Sequence, residues 1–230
     1  MTAPKTHKSL LTIILIVLLG GCENADNTNQ SQAEAPHTNL SLNQWFDARY
    51  EEELQFSPVQ LSFLGRKERN NELGSFSYAA FTEQLAWKKQ TVDELRQLYD
   101  YASLTPAEQI SYDIWVYQYE QAAASAEYFY SGLSFDQMSG IQSFIPTFLI
   151  NFHRVEDEED LRGYIARIKD VAPRIQEMLE TAQKSADAGV VSPGFALDGV
   201  IEQASAIIDG HPFTENSIKD SDLWVDFQQE

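Results

Sequence analysis

One cysteine, Cys22, is the only thiol in 230 residues. That count excludes a disulfide framework and a cysteine-rich zinc site. Positive charge is also scarce: 16 Lys+Arg stand against 35 Asp+Glu, a formal charge of −19. A nucleic-acid surface needs clustered cations to neutralise phosphates, so no nucleic-acid partner is expected. No Gly-rich nucleotide loop, GxSxG elbow, HExxH helix or calcium loop occurs. A thiol nucleophile is excluded as well, because Cys22 has another role, described next.

Leu10 to Leu19 is a ten-residue run in which only Thr12 is polar. A bilayer span needs about 20 such residues, so the run has the length of a signal-peptide core instead. Lys5 and Lys8 precede it, and Leu19-Gly20-Gly21-Cys22 follows. This tetrapeptide resembles a bacterial lipobox. Lipoproteins of that kind are cleaved before the cysteine and acylated on it, which places lipid on Cys22 after a signal peptide of residues 1–21. The alternative is an ordinary signal peptide or an uncleaved anchor. Glu23 follows the cysteine, and by the same resemblance a residue other than Asp sorts the protein to the outer membrane, facing the periplasm. Cleavage removes Lys5, Lys8 and no acids, leaving 14 basic against 35 acidic residues, a charge of −21. Such a charge disfavours contact with an anionic membrane surface, so the membrane partner is the lipid anchor alone. Residues 23–39 lack every large apolar side chain. Together with Cys22 and Leu40 they read as a polar tether, 22–40.

The remainder is rich in apolar matter. The chain as a whole is 43% hydrophobic and 12% aromatic, which calls for a packed core. Ser41–Gln44 and Thr105–Glu108 fit capping boxes, the first with Leu40 and Trp45 as a hydrophobic staple. Ser57-Pro58 fits a helix start and Gly65 a stop. Helices are expected at about 42–56, from 58 to Gly65, from Tyr78 to Tyr99 and from Pro106 to Phe129, with a polar loop at 66–76. In the fourth, Ile110, Ile114 and Tyr117 add a further apolar face, so it is expected to pack against several neighbours. Residues 131–155, interrupted by Gly132, Gly140 and Pro146, read as a buried loop plus a short helix. Leu161, Ile165, Ile168, Ala172, Ile175, Leu179, Ala182 and Ala186 form the strongest stripe, on one helix kinked at Pro173 and capped near Gly189. Ser192-Pro193 begins a helix striped by Leu197, Val200, Ile201, Ala204, Ile207 and Ile208. A last helix starts near Ser217 and carries Ile218, Leu223, Trp224 and Phe227. The fold class is therefore all-α, a multi-helix domain over 41–230 with long antiparallel helices.

Three groups invite a chemical reading. His153 and His211 lie 58 positions apart and read as surface or helix-end histidines, not as a metal pair. Glu156–Asp160 is a run of five carboxylates, read as acids that offset the positive start of a helix. Most aromatics between Tyr112 and Tyr130 read as core, but Tyr128-Phe129-Tyr130 cannot all face one core, so at least one belongs at a surface or cleft.

Several segments, in order, resemble a known family. They are Trp45-Phe-Asp-Ala-Arg-Tyr50 with Ser57-Pro58 and Leu64-Gly65, Leu104-Thr-Pro-Ala-Glu-Gln-Ile-Ser-Tyr-Asp113, Asp160-Leu-Arg-Gly-Tyr-Ile-Ala-Arg-Ile168, and Ala188-Gly-Val-Val-Ser-Pro193. Over about 41–213 they are similar to the N-terminal part of the bacterial lipoprotein family called domain of unknown function 885. Full-length members look like helical zinc metallopeptidases whose His-Glu metal motif lies in the C-terminal part. The resemblance thus implies zinc and a peptide substrate for the longer form. It implies no catalytic, cofactor or metal residue in these 230, so this chain alone is expected to be inactive. An uncapped final helix ending Asp226-Phe-Gln-Gln-Glu230 agrees with an incomplete part of a larger fold. The alternative function is a non-enzymatic periplasmic binding or scaffold lipoprotein. A cofactor-binding bundle ranks last, for want of a ligand pair at helical spacing.

Overall fold

The structure is a computed structural model, and residues 40–229 are described below. The segment that resembles a lipobox, with Cys22, and the expected tether as far as residue 39 lie outside the described residues. Eight α-helices and two 3-10 turns make up the described chain: α1 (Leu42–Leu54), α2 (Pro58–Phe63), α3 (Tyr78–Leu98), α4 (Pro106–Ser125), α5 (Ile141–Phe152), α6 (Glu158–Asp187), α7 (Gly194–Ala206) and α8 (Asp222–Gln229). The fold is all-α. Among the described residues no helix is long and apolar enough to cross a membrane.

Local signals set most of the boundaries. Ser41 and Thr105 form full capping boxes with Gln44 and Glu108, and Leu40 packs on the cluster that holds Trp45. Ser57 caps α2 with Pro58 in its first turn. Gly65 and Gly189 adopt φ of +73° and +84°. The N–H groups of Arg66 and Val190 then donate to Leu61 O and Ser185 O, closing Schellman motifs at the ends of α2 and α6. Gly74 is a further position where glycine is required. Its φ is +79°, and an added Cβ would lie 3.0 Å from Pro58 Cδ.

Two apolar clusters form. In the first, α1, α3 and α4 bury Leu42, Trp45, Val92, Leu95, Tyr112 and Trp115. Thr91 meets Trp115, Lys88 meets Gln118, and Tyr78 meets Phe129. Numbers that fall along α3 as they rise along α4 make an antiparallel pair. In the second cluster, α5 supplies Ile141, Ile145, Phe148 and Leu149 to Val59, Leu73 and Tyr164.

The structure corrects several expectations. Residues 131–155 hold the expected helix, α5, but the stretch before it, 131–139, has no buried residue, and the helix runs through Pro146 for 12 residues. Its first turns are so thoroughly buried that packing outweighs the hydrogen bond proline cannot make. α6 is one long helix through Pro173, as expected, but its burial departs from the stripe. No residue of the apolar stripe is buried; the inward face is Asp160, Gly163, Tyr164, Arg167, Thr181 and Ser185. Ile175 of the stripe, with Val171 and Met178, packs on the α5 cluster, whereas Asp160 and Arg167 meet partners supplied by the 58–73 segment.

Ile110, Ile114 and Tyr117 on α4 are exposed at 62%, 51% and 59%, and among the described residues no neighbour covers that face. On α7, only Ala196 and Val200 are buried, while Leu197, Ile201 and Ile208 are exposed. Ser192 does not cap α7: its hydroxyl donates to Phe135 O, and the helix begins at Gly194. The last helix begins at Asp222, with Ser221 Oγ accepting from Trp224 N–H. Ile218 precedes it, fully exposed.

Candidate functional site

A cleft of about 920 Å³ opens between α1, α3 and α4. Its walls follow from helix spacing. Phe46, Tyr50 and Leu54 recur along α1, Phe81, Leu85 and Lys88 along α3, and Ile114, Trp115 and Gln118 along α4. Amide side chains of Asn43, Gln60, Gln84 and Gln118 interrupt the apolar lining. A second cleft of about 650 Å³ adjoins it across α3, since Phe81 and Gln84 line both. Phe129 lines the second cleft and Tyr128 is exposed, so the aromatic triplet reaches both a cleft and the surface, as its spacing demanded.

Lys88 is the one cation among the residues lining the larger cleft, beside the carboxylates of Asp47 and Glu53. It is only 6% exposed. Its ammonium donates to Glu53 Oε2 at 3.1 Å and Gln118 Oε1 at 3.3 Å, and Nζ lies 3.2 Å from the centre of the Trp115 ring. Trp115 is held in turn by its Nε1–H, which donates to Thr91 Oγ1 at 3.1 Å. Burial pulls the Lys88 ammonium below the ordinary lysine value, with Glu53 pulling against it. Glu53 offsets this cation and Asp47 also lines the cleft, so the charged lining is one ammonium against two carboxylates, while the amides can pair with peptide-like groups. The sequence carried no motif for Lys88. Its only signal is a lysine one turn before Val92 and Leu95 on a helix's inner side.

The second polar centre lies at the α5–α6 junction and is sealed. Arg167 is fully buried, and all five of its N–H groups are used. They donate to Glu72 O, Asn70 Oδ1, His153 Nδ1, Pro58 O and Ser62 Oγ, at 2.8 to 3.3 Å. Burial pushes its pKa down to about 10, so it stays cationic at neutral pH. An arginine only donates, so His153 Nδ1 must accept. Nε2 then carries the proton and donates to Asp160 O at 3.1 Å.

His153 is thus a helix-end residue, at the C-terminus of α5, but it is buried at 3% exposure and not at the surface. Asp157 caps α6 by accepting from Asp160 N–H. Asp160 itself turns inward, accepting from the Lys67 ammonium and Glu156 N–H at 2.5 and 3.0 Å. Burial alone would raise the Asp160 carboxyl; these partners more than reverse it, and its pKa falls below the usual range. Gly163 lets α6 approach the loop here, since a Cβ would lie 3.1 Å from Asn70 O.

The zinc that the resemblance implies finds no fitting donor set in this region. Both ring nitrogens of His153 are engaged, and exposed His211 has only Asp220 beside it, at 3.5 Å. Among the described residues no three His, Cys, Asp or Glu side chains gather as a metal site would require. The Arg167 centre is therefore a structural tie, and the open cleft is the candidate site.

Comparisons with known proteins add one finding. No curated protein and no solved structure matches the chain. The family described as "Bacterial protein of unknown function (DUF885)" matches residues 58–229, three quarters of the sequence. This span contains α2 to α8, the whole Arg167 centre and Lys88, but not α1 or Glu53. The chain belongs to that family of bacterial proteins.

Proposed function

We propose that this is an envelope lipoprotein, held by lipid on Cys22, whose helical body forms a peptide-binding wall and contains no catalytic centre of its own. The carrying observation is the 920 Å³ cleft with its mixed aromatic and amide lining and Lys88 at its base. Phe46, Tyr50 and Ile114 offer apolar surface to side chains. Gln60, Gln84 and Gln118 offer donors and acceptors to a peptide backbone. The resemblance to metallopeptidase-like lipoproteins supports a peptide as the occupant, with hydrolysis belonging to the longer form. Open apolar faces on α4, α6 and α7 support a body that works against further surfaces.

The test is a titration of the full chain with a random hexapeptide pool, read by tryptophan fluorescence, with product analysis in parallel. Saturable quenching that Ile114→Glu abolishes, without hydrolysis, is the expected result. A signal unaffected by Ile114→Glu would remove the cleft from the reading. The alternative, a binding or scaffold lipoprotein with no hydrolytic counterpart, shares the same cleft. It is separated by whether a longer form carrying the His-Glu motif cleaves the bound peptides.

A further inference from the structure

The charges that line the two adjoining clefts are not equivalent. Each cleft carries one cation, Lys88 in the larger and Arg69 in the smaller, and both cations are spent within the fold. Lys88 donates to Glu53 and Gln118 and rests on the face of Trp115. Arg69 donates from Nε and Nη2 to the Glu72 carboxylate and from Nη1 to Gln55 O. Two carboxylates stand apart. Asp47 in the larger cleft and Glu83 in the smaller are exposed. Neither carboxylate has a hydrogen-bond or ion-pair partner among the described residues.

Aromatic surface accompanies each free carboxylate. Tyr50 lies three residues from Asp47 on the same side of α1, and Phe46 and Trp115 line the same cleft. Glu83 shares the smaller cleft with Phe56, Phe76, Phe81 and Phe129. A carboxylate among aromatic faces suits a cationic side chain. The charge pairs with the acid, while the aliphatic stem or the planar guanidinium lies on the rings. An anionic side chain finds no free cation in either cleft and meets a carboxylate instead.

We infer that the two clefts select a cationic peptide, with one Arg or Lys side chain paired to Asp47 and a second paired to Glu83. This selectivity rests on the peptide-binding function proposed above and adds the class of peptide. Phe81 and Gln84 line both clefts, so one peptide crossing that ridge reaches both. The whole chain reinforces the choice, since a formal charge of −19 draws cations towards the surface and turns anions away. Arginine is preferred to lysine, because its planar fork pairs with a carboxylate through two hydrogen bonds while stacking on a ring.

Titration of the full chain in nonionic detergent tests the selectivity, read by tryptophan fluorescence. Three hexapeptide pools with acetylated and amidated ends are compared. One carries two arginines at varied spacing in a neutral background, one carries two glutamates likewise, and one is neutral throughout. The arginine pool should bind about tenfold more tightly than the neutral pool, and the glutamate pool more weakly than either. Rising salt should weaken the arginine pool most. Asp47→Asn and Glu83→Gln should each weaken it about threefold, the worth of one part-exposed ion pair, and leave the neutral pool unchanged. Asp198→Asn removes the same charge from α7, outside both clefts, and should change nothing. Asp47→Lys with Glu83→Lys should turn the preference to the glutamate pool. All three positions are exposed, and circular dichroism confirms that the variants remain helical.

Three pools bound alike overturn the selectivity and leave the peptide-binding function standing. No saturable signal from any pool overturns that function and the selectivity with it. Equal loss from Asp47→Asn and Asp198→Asn also overturns the selectivity, because the attraction then belongs to the overall charge and not to the clefts.

Discussion

Arg167 Nη1 donates to Nδ1 of His153 at 2.8 Å, with both side chains buried. A guanidinium on one ring nitrogen fixes the other as the proton carrier, and it opposes a second proton. Through this contact α5, α6 and the 58–72 segment share one polar centre.

Acid should loosen that centre in a defined order. Burial lowers the His153 pKa, aided by the Arg167 charge and resisted by the hydrogen bond to Asp160 O. The unfolded chain therefore takes up the imidazole proton first. Stability is full above the ordinary histidine value of 6.5 and declines as pH falls below it. Asp160 adds a second loss, beginning below its ordinary value of 3.8. Urea midpoints measured between pH 8 and pH 3 check both steps, and His153→Gln should flatten the first.

Arg167→Met should be strongly destabilising. It strands Asn70, Ser62 and two backbone carbonyls that now accept from the guanidinium. A cost of about 3 kcal/mol is expected from acceptors left buried without donors. Arg167→Lys should recover little of it, since one ammonium cannot reach the five positions of the fork. Equilibrium unfolding in urea measures both.

Thr105→Ala should cost about 1 kcal/mol, the usual loss for removing an N-cap hydroxyl. Thr105 both accepts from Glu108 N–H and donates to the Glu108 carboxylate. The loss should appear in urea unfolding, with faster amide exchange confined to the first turn of α4.

Cys22→Ala should abolish incorporation of labelled palmitate and release the body from the membrane fraction. The lipobox residues Leu19, Gly20 and Gly21 carry this expectation. Membrane association that persists in the variant would point to an uncleaved anchor.

Helix identities and most boundaries were legible because their causes are local. A hydroxyl three residues before an amide acceptor, a proline in a first turn and a glycine at a positive φ act within a few residues. The candidate site was less legible. Lys88 has no motif, and its position depends on Glu53 and Gln118, 35 and 30 residues away. His153 looked like a surface histidine because neither Arg167 nor Asp160 is adjacent to it in a repeating pattern.

By itself, then, the sequence determined an acidic, all-helical body, with capping chemistry that marks where helices begin and end. The sequence also pointed Trp45, Val92, Leu95, Tyr112 and Trp115 inward on α1, α3 and α4, whereas only the tertiary structure decided which side of α6 is inside. On α6 the amphipathic pattern pointed the isoleucines inward. The fold instead buries Asp160 and Arg167, because Lys67, Asn70 and the carbonyls of Pro58 and Glu72 reach them from 90 to 109 residues away. A buried charge is tolerable only where partners meet all its hydrogen-bonding groups. Those partners are brought together by the folded chain and appear in no local pattern.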